Sequence, residues 1–156
     1  MENMQVSGVA RDNNVVRFAL IGLEDKPGVA ARLFSLLAQH KINVDIILQS
    51  IGRGDTKDIS FTITKNNMAL AKELLEAHKE NMGFEELVIS DAISKVSAVG
   101  AGMVNNPGVA ARMFEALASA GINIQMISTS EIKVSVLVDK ADSDRAVQVI
   151  HDKFFK

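Results

Sequence analysis

The sequence predicts an α+β protein built from two ferredoxin-like βαββαβ units, the first inserted into the second. Three observations lead there. The stretch Asp25–Ser50 (DKPGVAARLFSLLAQHKINVDIILQS) returns eighty positions later as Asn105–Ser130 (NNPGVAARMFEALASAGINIQMISTS), identical at thirteen of twenty-six positions. The only two prolines of the 156-residue chain, Pro27 and Pro107, each open an unbroken PGVAAR. Strand and helix patterns fill a complete βαββαβ order around the first copy, but the second copy runs out of chain before its fourth strand.

Each element has a local reason. Val15–Leu23 (VVRFALIGL) is β-branched, apolar and strand-length, and leads into a Glu-Asp-Lys-Pro-Gly turn. Pro27 suits the first helical position, where its missing N–H is no loss. Val29, Leu33, Leu36 and Leu37, with Phe34 on the flank, keep helical spacing as far as His40. Ile42–Ile51 reads as a second strand, Gly52–Asp55 as a hairpin loop, and Asp58–Thr64 as a third strand with Ile59, Phe61 and Ile63 on one face. Asn66 or Asn67 can cap a helix running to about Lys79, its apolar side formed by Met68, Leu70, Ala71, Leu74 and Leu75. Phe84–Ser90 makes the fourth strand.

The second copy begins alike. Lys95–Met103 is its first strand, Asn106 caps a helix from Pro107 to about Ala120, and Ile122–Thr129 and Glu131–Val138 follow as strands. Asp142 or Ser143 caps a last helix to about Phe155. Its fourth strand is missing, while Gln5–Ala10 (QVSGVA) is a spare one at the N-terminus. This segment is expected to complete the second sheet, giving one domain over residues 14–91 and another from residues 1–13 plus 92–156. An unpaired sheet edge and a disordered N-terminus are the alternatives.

Composition narrows the chemistry. Hydrophobic residues make up 47% of the chain and the net charge is −2, so no basic surface for nucleic acid or an anionic membrane is expected. With no Trp and no Tyr there is no stacking platform, and with no Cys there is neither thiol nucleophile nor thiolate metal site. The apolar runs fall short of the ~20 residues of a membrane span. Glu2, Arg11, Asp12 and Arg17 interrupt any secretory pattern, and a cytoplasmic location is the expectation. His40, His78 and His151 lie toward helix ends without a partner at ligand spacing. The G-x-G of Gly100–Met103 lacks the third glycine or lysine of a nucleotide loop. No nucleophile stands with a base and an orienting group, so no catalytic residue is assigned.

The turn before each PGVAAR helix is the one feature that suits a ligand. Helix N-termini expose unpaired N–H groups at the positive end of the dipole, and Gly28 and Gly108 allow close approach of a carboxylate. Asp25 is placed to accept from an ammonium group. Taken alone, the turn fits plain capping by Asp25 and Asn106 at least as well.

Two such units with D-x-P-G turns resemble ACT domains, the amino-acid-sensing modules of metabolic enzymes. VGAGM, ISTSEI and the doubled PGVAAR narrow the resemblance to the paired ACT domains at the C-terminus of aspartate kinases, over Val6–Phe155. The resemblance implies feedback control of aspartate phosphorylation by lysine, threonine or both, within lysine and threonine biosynthesis. It also implies a homodimer through ACT domains and a partner subunit carrying the kinase domain. ATP and magnesium belong to that kinase domain, and no cofactor or metal is expected in this chain. The start at Met1, just before the regulatory region, fits either a separately translated small subunit or a piece of a longer chain.

Carried over by position, one effector site uses Asp25, Lys26, Gly28, Val29, Ala30 and Gln49, with Asn123 and Ile124 across an ACT–ACT interface. The equivalent site of the second copy uses Asn106, Gly108, Val109 and Ala110, with Ser130 and Glu131 nearby. Asp25 and Gln49 become Asn105 and Thr129 in the second copy, so the first site is expected to be the stronger. A ligand-free structural dimerisation module and a small enzyme on a ferredoxin-like scaffold are the competing readings.

Overall fold

The computed structural model describes residues 6–101 and 106–156. In chain order the elements are β1 (Val6–Asp12), β2 (Val16–Glu24), α1 (Val29–Gln39), β3 (Ile47–Ile51), β4 (Thr56–Ile63), α2 (Met68–Ala77), α3 (Lys79–Met82), β5 (Glu86–Ser90), β6 (Ile93–Gly100), α4 (Gly108–Ser119), β7 (Met126–Thr129), β8 (Lys133–Asp139) and α5 (Ser143–Phe155). They form two compact units, residues 14–91 and residues 1–13 with 92–156.

The sheet of the 14–91 unit has the order β3-β4-β2-β5, antiparallel throughout. Period-two alternation sends Val16, Phe18 and Leu20 of β2 to the same face as Ile63, Phe61 and Ile59, their register partners on β4. All six are buried, together with Val29, Leu33, Leu36 and Leu37 of α1 and Ala71 and Leu75 of α2. Phe18 and Phe61 stack with ring centroids 5.6 Å apart, and Phe34 meets Phe61 edge-on at 5.8 Å. Leu70, expected on the apolar side of α2, is 38% exposed. The helix expected to reach Lys79 ends at Ala77, and the four-residue α3 follows.

The second unit repeats the plan with smaller side chains. Its sheet order is β1-β6-β8-β7, with β1 antiparallel to β6 over Val6–Asp12. Val96, Ala98, Val134, Val136 and Val138 pack beneath Met113 and Leu117 of α4 and Ile150 of α5. Gln5, Gly102, Met103 and Asn105 lie outside the described residues.

Several boundaries move for physical reasons. The strands expected from Ile42 and Ile122 begin only at Ile47 and Met126. Each preceding helix closes with a Schellman motif that takes the intervening residues. Ile42 donates its N–H to Leu37 O at 3.0 Å and Lys41 to Ala38 O at 2.9 Å; in the second copy Ile122 bonds to Leu117 O at 2.9 Å and Gly121 to Ala118 O at 3.0 Å. Neither Asn67 nor Asp142 makes a side-chain cap bond, and Ser143 Oγ lies 3.1 Å from Ser94 Oγ in the core. A single 3₁₀ turn, Lys65–Asn67 or Lys140–Asp142, leads into each helix in place of the cap.

The left-handed position of this motif holds Gly121 (φ 72°) in one copy and Lys41 (φ 60°) in the other. Glycine enters this region freely, whereas a side chain adds roughly 1 kcal/mol. Lys41→Gly is therefore expected to raise stability by up to ~1 kcal/mol, partly offset by the greater freedom of the unfolded chain. A denaturant midpoint that falls in this variant would contradict the account.

Candidate functional site

The two PGVAAR turns differ in conformation. Gly28 has φ 91° and ψ −10°, the values of the third position of a type II turn, and α1 starts only at Val29. Pro27 is thus not the first helical residue, because a left-handed Gly28 cannot belong to the helix. In the second copy Pro107 has φ −62° and ψ −21°, as at the second position of a type I turn, and Gly108 is already helical. Val109 N–H donates to Asn106 O at 3.1 Å and closes that turn. Asn106 precedes the cap position, which Pro107 occupies.

The second copy's candidate residues converge. Asn106, Pro107 and Ala110 from the start of α4 line a recess of about 400 Å³ with Thr129, Ser130 and Glu131 from the end of β7, floored by Val134 of β8. Gly108 is exposed beside it, while Val109 is fully buried in the core and has only backbone to offer. A tight connection fixes the strand side: Ser130 N–H donates to Lys133 O at 2.8 Å, and Ile132 N–H to Ser130 Oγ at 3.3 Å. Val134 lies between Thr129 of β7 and Ala98 of β6, its register partners on the two sides.

The first copy's candidates are arranged differently. Asp25 Oδ1 lies 3.9 Å from Lys57 Nζ, on a lysine that is 8% exposed, and Lys26 Nζ pairs with Glu24 Oε2 at 3.2 Å. The Asp25 N–H donates to Asp55 O at 2.8 Å, which ties the turn to the β3–β4 hairpin loop. Val29 is buried, Ala30 half-buried, and Gln49 exposed on β3 opposite Ile59 of β4. Asn123 is exposed and Ile124 half-buried in the segment after α4, within the other unit. A recess of about 400 Å³ in this unit, lined by Gly22, Arg53, Thr56, Asp58 and Glu85 among others, includes none of the first-site candidates.

Sequence reasoning did not assign Pro107, Thr129, Val134 or Lys57 to these sites. Thr129 had a signal, as the counterpart of Gln49. Lys57 had none, because its approach to Asp25 depends on the β2–β4 register. His40 and His78 face their own helices, with Nδ1 3.1 Å from Leu36 O and 2.8 Å from Leu74 O, and His151 packs on Phe155 at 4.7 Å. Among the described residues no group of His, Asp and Glu is placed to hold a metal ion, and no helix is long and apolar enough to cross a membrane.

Comparison with known proteins gives the family. The ACT domain profile matches twice, over residues 18–78 and 96–154. An aspartokinase of Mycolicibacterium smegmatis is 45% identical over 99% of this chain, which spans only 37% of that relative's length. Among solved structures, the regulatory subunit of aspartate kinase from Thermus thermophilus, in its ligand-free form, superposes with a TM-score of 0.92 at 38% identity, covering 98% of this chain and 100% of that one. A structure of aspartokinase alpha and beta subunits superposes with a TM-score of 0.89 at 44% identity, covering 96% of this chain and 98% of the matched one. The chain belongs to the ACT-domain family and, within it, to the paired-domain regulatory part of the aspartokinases.

Proposed function

We propose that this chain binds L-lysine, L-threonine or both, and through that binding imposes feedback inhibition on the phosphorylation of aspartate by a kinase-domain-bearing aspartokinase subunit. The observation that supports it best is the recess joining Asn106, Ala110, Ser130 and Glu131. A zwitterion needs an acid for its ammonium end and backbone donors at a helix start for its carboxylate, and this recess borders both. The first-copy group of Asp25, Lys26, Gly28, Val29, Ala30 and Gln49, with Asn123 and Ile124, is proposed as a second effector site of the same kind. The ligand acts by preferring one of two arrangements of the regulatory part, and its regulatory strength is the difference in its affinity for the two.

Calorimetry with each amino acid tests the reading. Heat of binding and a raised unfolding midpoint are expected at millimolar concentration from at least one of them. Neither heat nor stabilisation from either would reject it.

A purely structural dimerisation module is the second reading, and the edge strand β3 favours it. All five of its residues are exposed, including Ile47 at 54%, Leu48 at 49% and Ile51 at 90%. An apolar edge of that kind is a template for pairing with another copy. The homodimer belongs to both readings; light scattering separates them, because the structural module alone predicts a dimer indifferent to amino acids.

A further inference from the structure

The arginine that closes each PGVAAR has no part in the turn or in the recess, yet it makes the same kind of contact in both units. Arg32 Nη1 donates to Asn81 O at 3.2 Å, in the last turn of α3. Arg112 Nη2 donates to Lys153 O at 3.1 Å, in the last turn of α5. Carbonyls at the end of a helix lack an intrahelical amide to accept from, and they stand at the negative end of the dipole. A guanidinium answers both needs, being always charged and carrying several donors in one plane. Two copies that agree at only thirteen of twenty-six positions share this residue and this partner.

In the second unit the tie is reinforced. The guanidinium carbon of Arg112 lies 5.6 Å from the centroid of the Phe154 ring, and Glu115 of α4 pairs with Lys153 Nζ at 3.5 Å. Lys153 is therefore held by its carbonyl and by its ammonium group. Farther along the pair, Ala116, Ser119 and Ala120 of α4 stand across a recess of about 410 Å³ from Val149 and Asp152 of α5. The Arg112 contacts thus sit at the end where α4 begins, and that end carries Pro107 and Ala110 of the candidate effector recess. Ala110 and Arg112 are two residues apart, roughly 200° around the helix. The arginine holds α4 from behind the recess.

We infer that Arg112 is a positioning residue for the effector recess: by tying the first turns of α4 to the last turn of α5, it fixes where Ala110 stands relative to Thr129 and Glu131. The inference rests on the effector reading of that recess. Arg112 stands outside the recess and acts through the helix. Without the tie, the helix start holds its ligand-competent position for only a fraction of the time, and apparent affinity falls by that fraction.

The test uses the whole chain with L-lysine and L-threonine as probes, and the recess is identified as the binding step that Ala110→Leu abolishes. Arg112→Met keeps an apolar stem and removes the donors and the charge. The recess step is expected to weaken about fivefold or more. Arg32→Met cuts the matching tie of the other unit and should leave that step within about twofold of wild type. Arg112→Lys keeps a charged donor and should fall between wild type and Arg112→Met, at about twofold weaker or more. Without ligand, the Val109 N–H that closes the turn onto Asn106 O should exchange roughly tenfold faster in Arg112→Met.

A merely structural tie would lower the unfolding midpoint and leave the affinity of the folded chain unchanged. That result overturns the inference while the effector reading stands. Equal weakening by Arg112→Met and Arg32→Met also overturns it, because the effect would not then pass through α4. A wild-type chain that binds neither amino acid, or one that loses no step in Ala110→Leu, rejects the effector reading of the recess and this inference together. Should Arg112→Met fail to fold, Arg112→Lys decides: a weaker recess step supports the inference and an unchanged one overturns it.

Discussion

Removal of residues 1–12 is expected to unfold the unit formed with residues 92–156. The β1 strand lies along β6 from Val6 opposite Gly100 to Asp12 opposite Lys95, and Val6 is part of the core. Without it, the β6 ladder loses its partner on one side, while Val96 and Ala98, both fully buried, gain water. The α5 helix also rests partly on this segment through the Arg11–Asp144 ion pair. Lost burial of a few apolar side chains and several unmade hydrogen bonds together amount to roughly 3 kcal/mol or more. That is a large fraction of the ~5–15 kcal/mol by which domains are stable. Amide exchange reads the result by residue. Loss of protection is expected in Ile93–Gly100, Lys133–Asp139 and Ser143–Phe155, with protection kept in Val16–Glu24 and Thr56–Ile63. Unchanged protection in β6 would show that β1 is dispensable.

The fold was legible because each unit repeats a strong local pattern. Val16, Phe18 and Leu20 alternate at period two, and Val29, Leu33, Leu36 and Leu37 recur at helical spacing, so burial follows from order along the chain. What escaped were features set by contacts distant in sequence. The late start of β3 and β7 follows from Ile42 and Ile122 giving their N–H groups back to the preceding helix. The left-handed Gly28 could not be told from the helical Gly108, since the hexapeptide that carries both is identical. The recess was half legible. Asn106, Ala110, Ser130 and Glu131 were marked by position in the repeat, but Val134 enters the recess only through the β7–β8 register, opposite Thr129.

Which copy holds the stronger effector site can be decided by one substitution in each. Asp25→Ala removes the only acid of the first-copy group, and Asp25 is an exposed loop residue whose ion pair with Lys57 at 3.9 Å adds at most ~1 kcal/mol to stability. A hydrogen bond to a charged group adds about 1.5–3 kcal/mol to binding, so affinity at that site should fall at least tenfold with the unfolding midpoint nearly unchanged. Gln49→Ala is expected to act in the same direction with a smaller effect, because a neutral amide contributes about 0.5–1.5 kcal/mol. In the second copy, Ala110→Leu places three further carbon atoms into the recess beside Thr129 and Glu131, on a side chain that is only half-buried. Binding there should be abolished while the core, formed by Val109 and Met113 on the other side of α4, keeps its packing. Two-site calorimetry then assigns each step to a copy: the first-copy step weakens in Asp25→Ala and the second-copy step disappears in Ala110→Leu. The tighter step is expected to be the one that Asp25→Ala weakens, since Asn105 supplies no charge at the equivalent position of the other turn. If Ala110→Leu removes the tighter step instead, the stronger site lies in the recess of the second copy, and the missing acid is made good by Glu131.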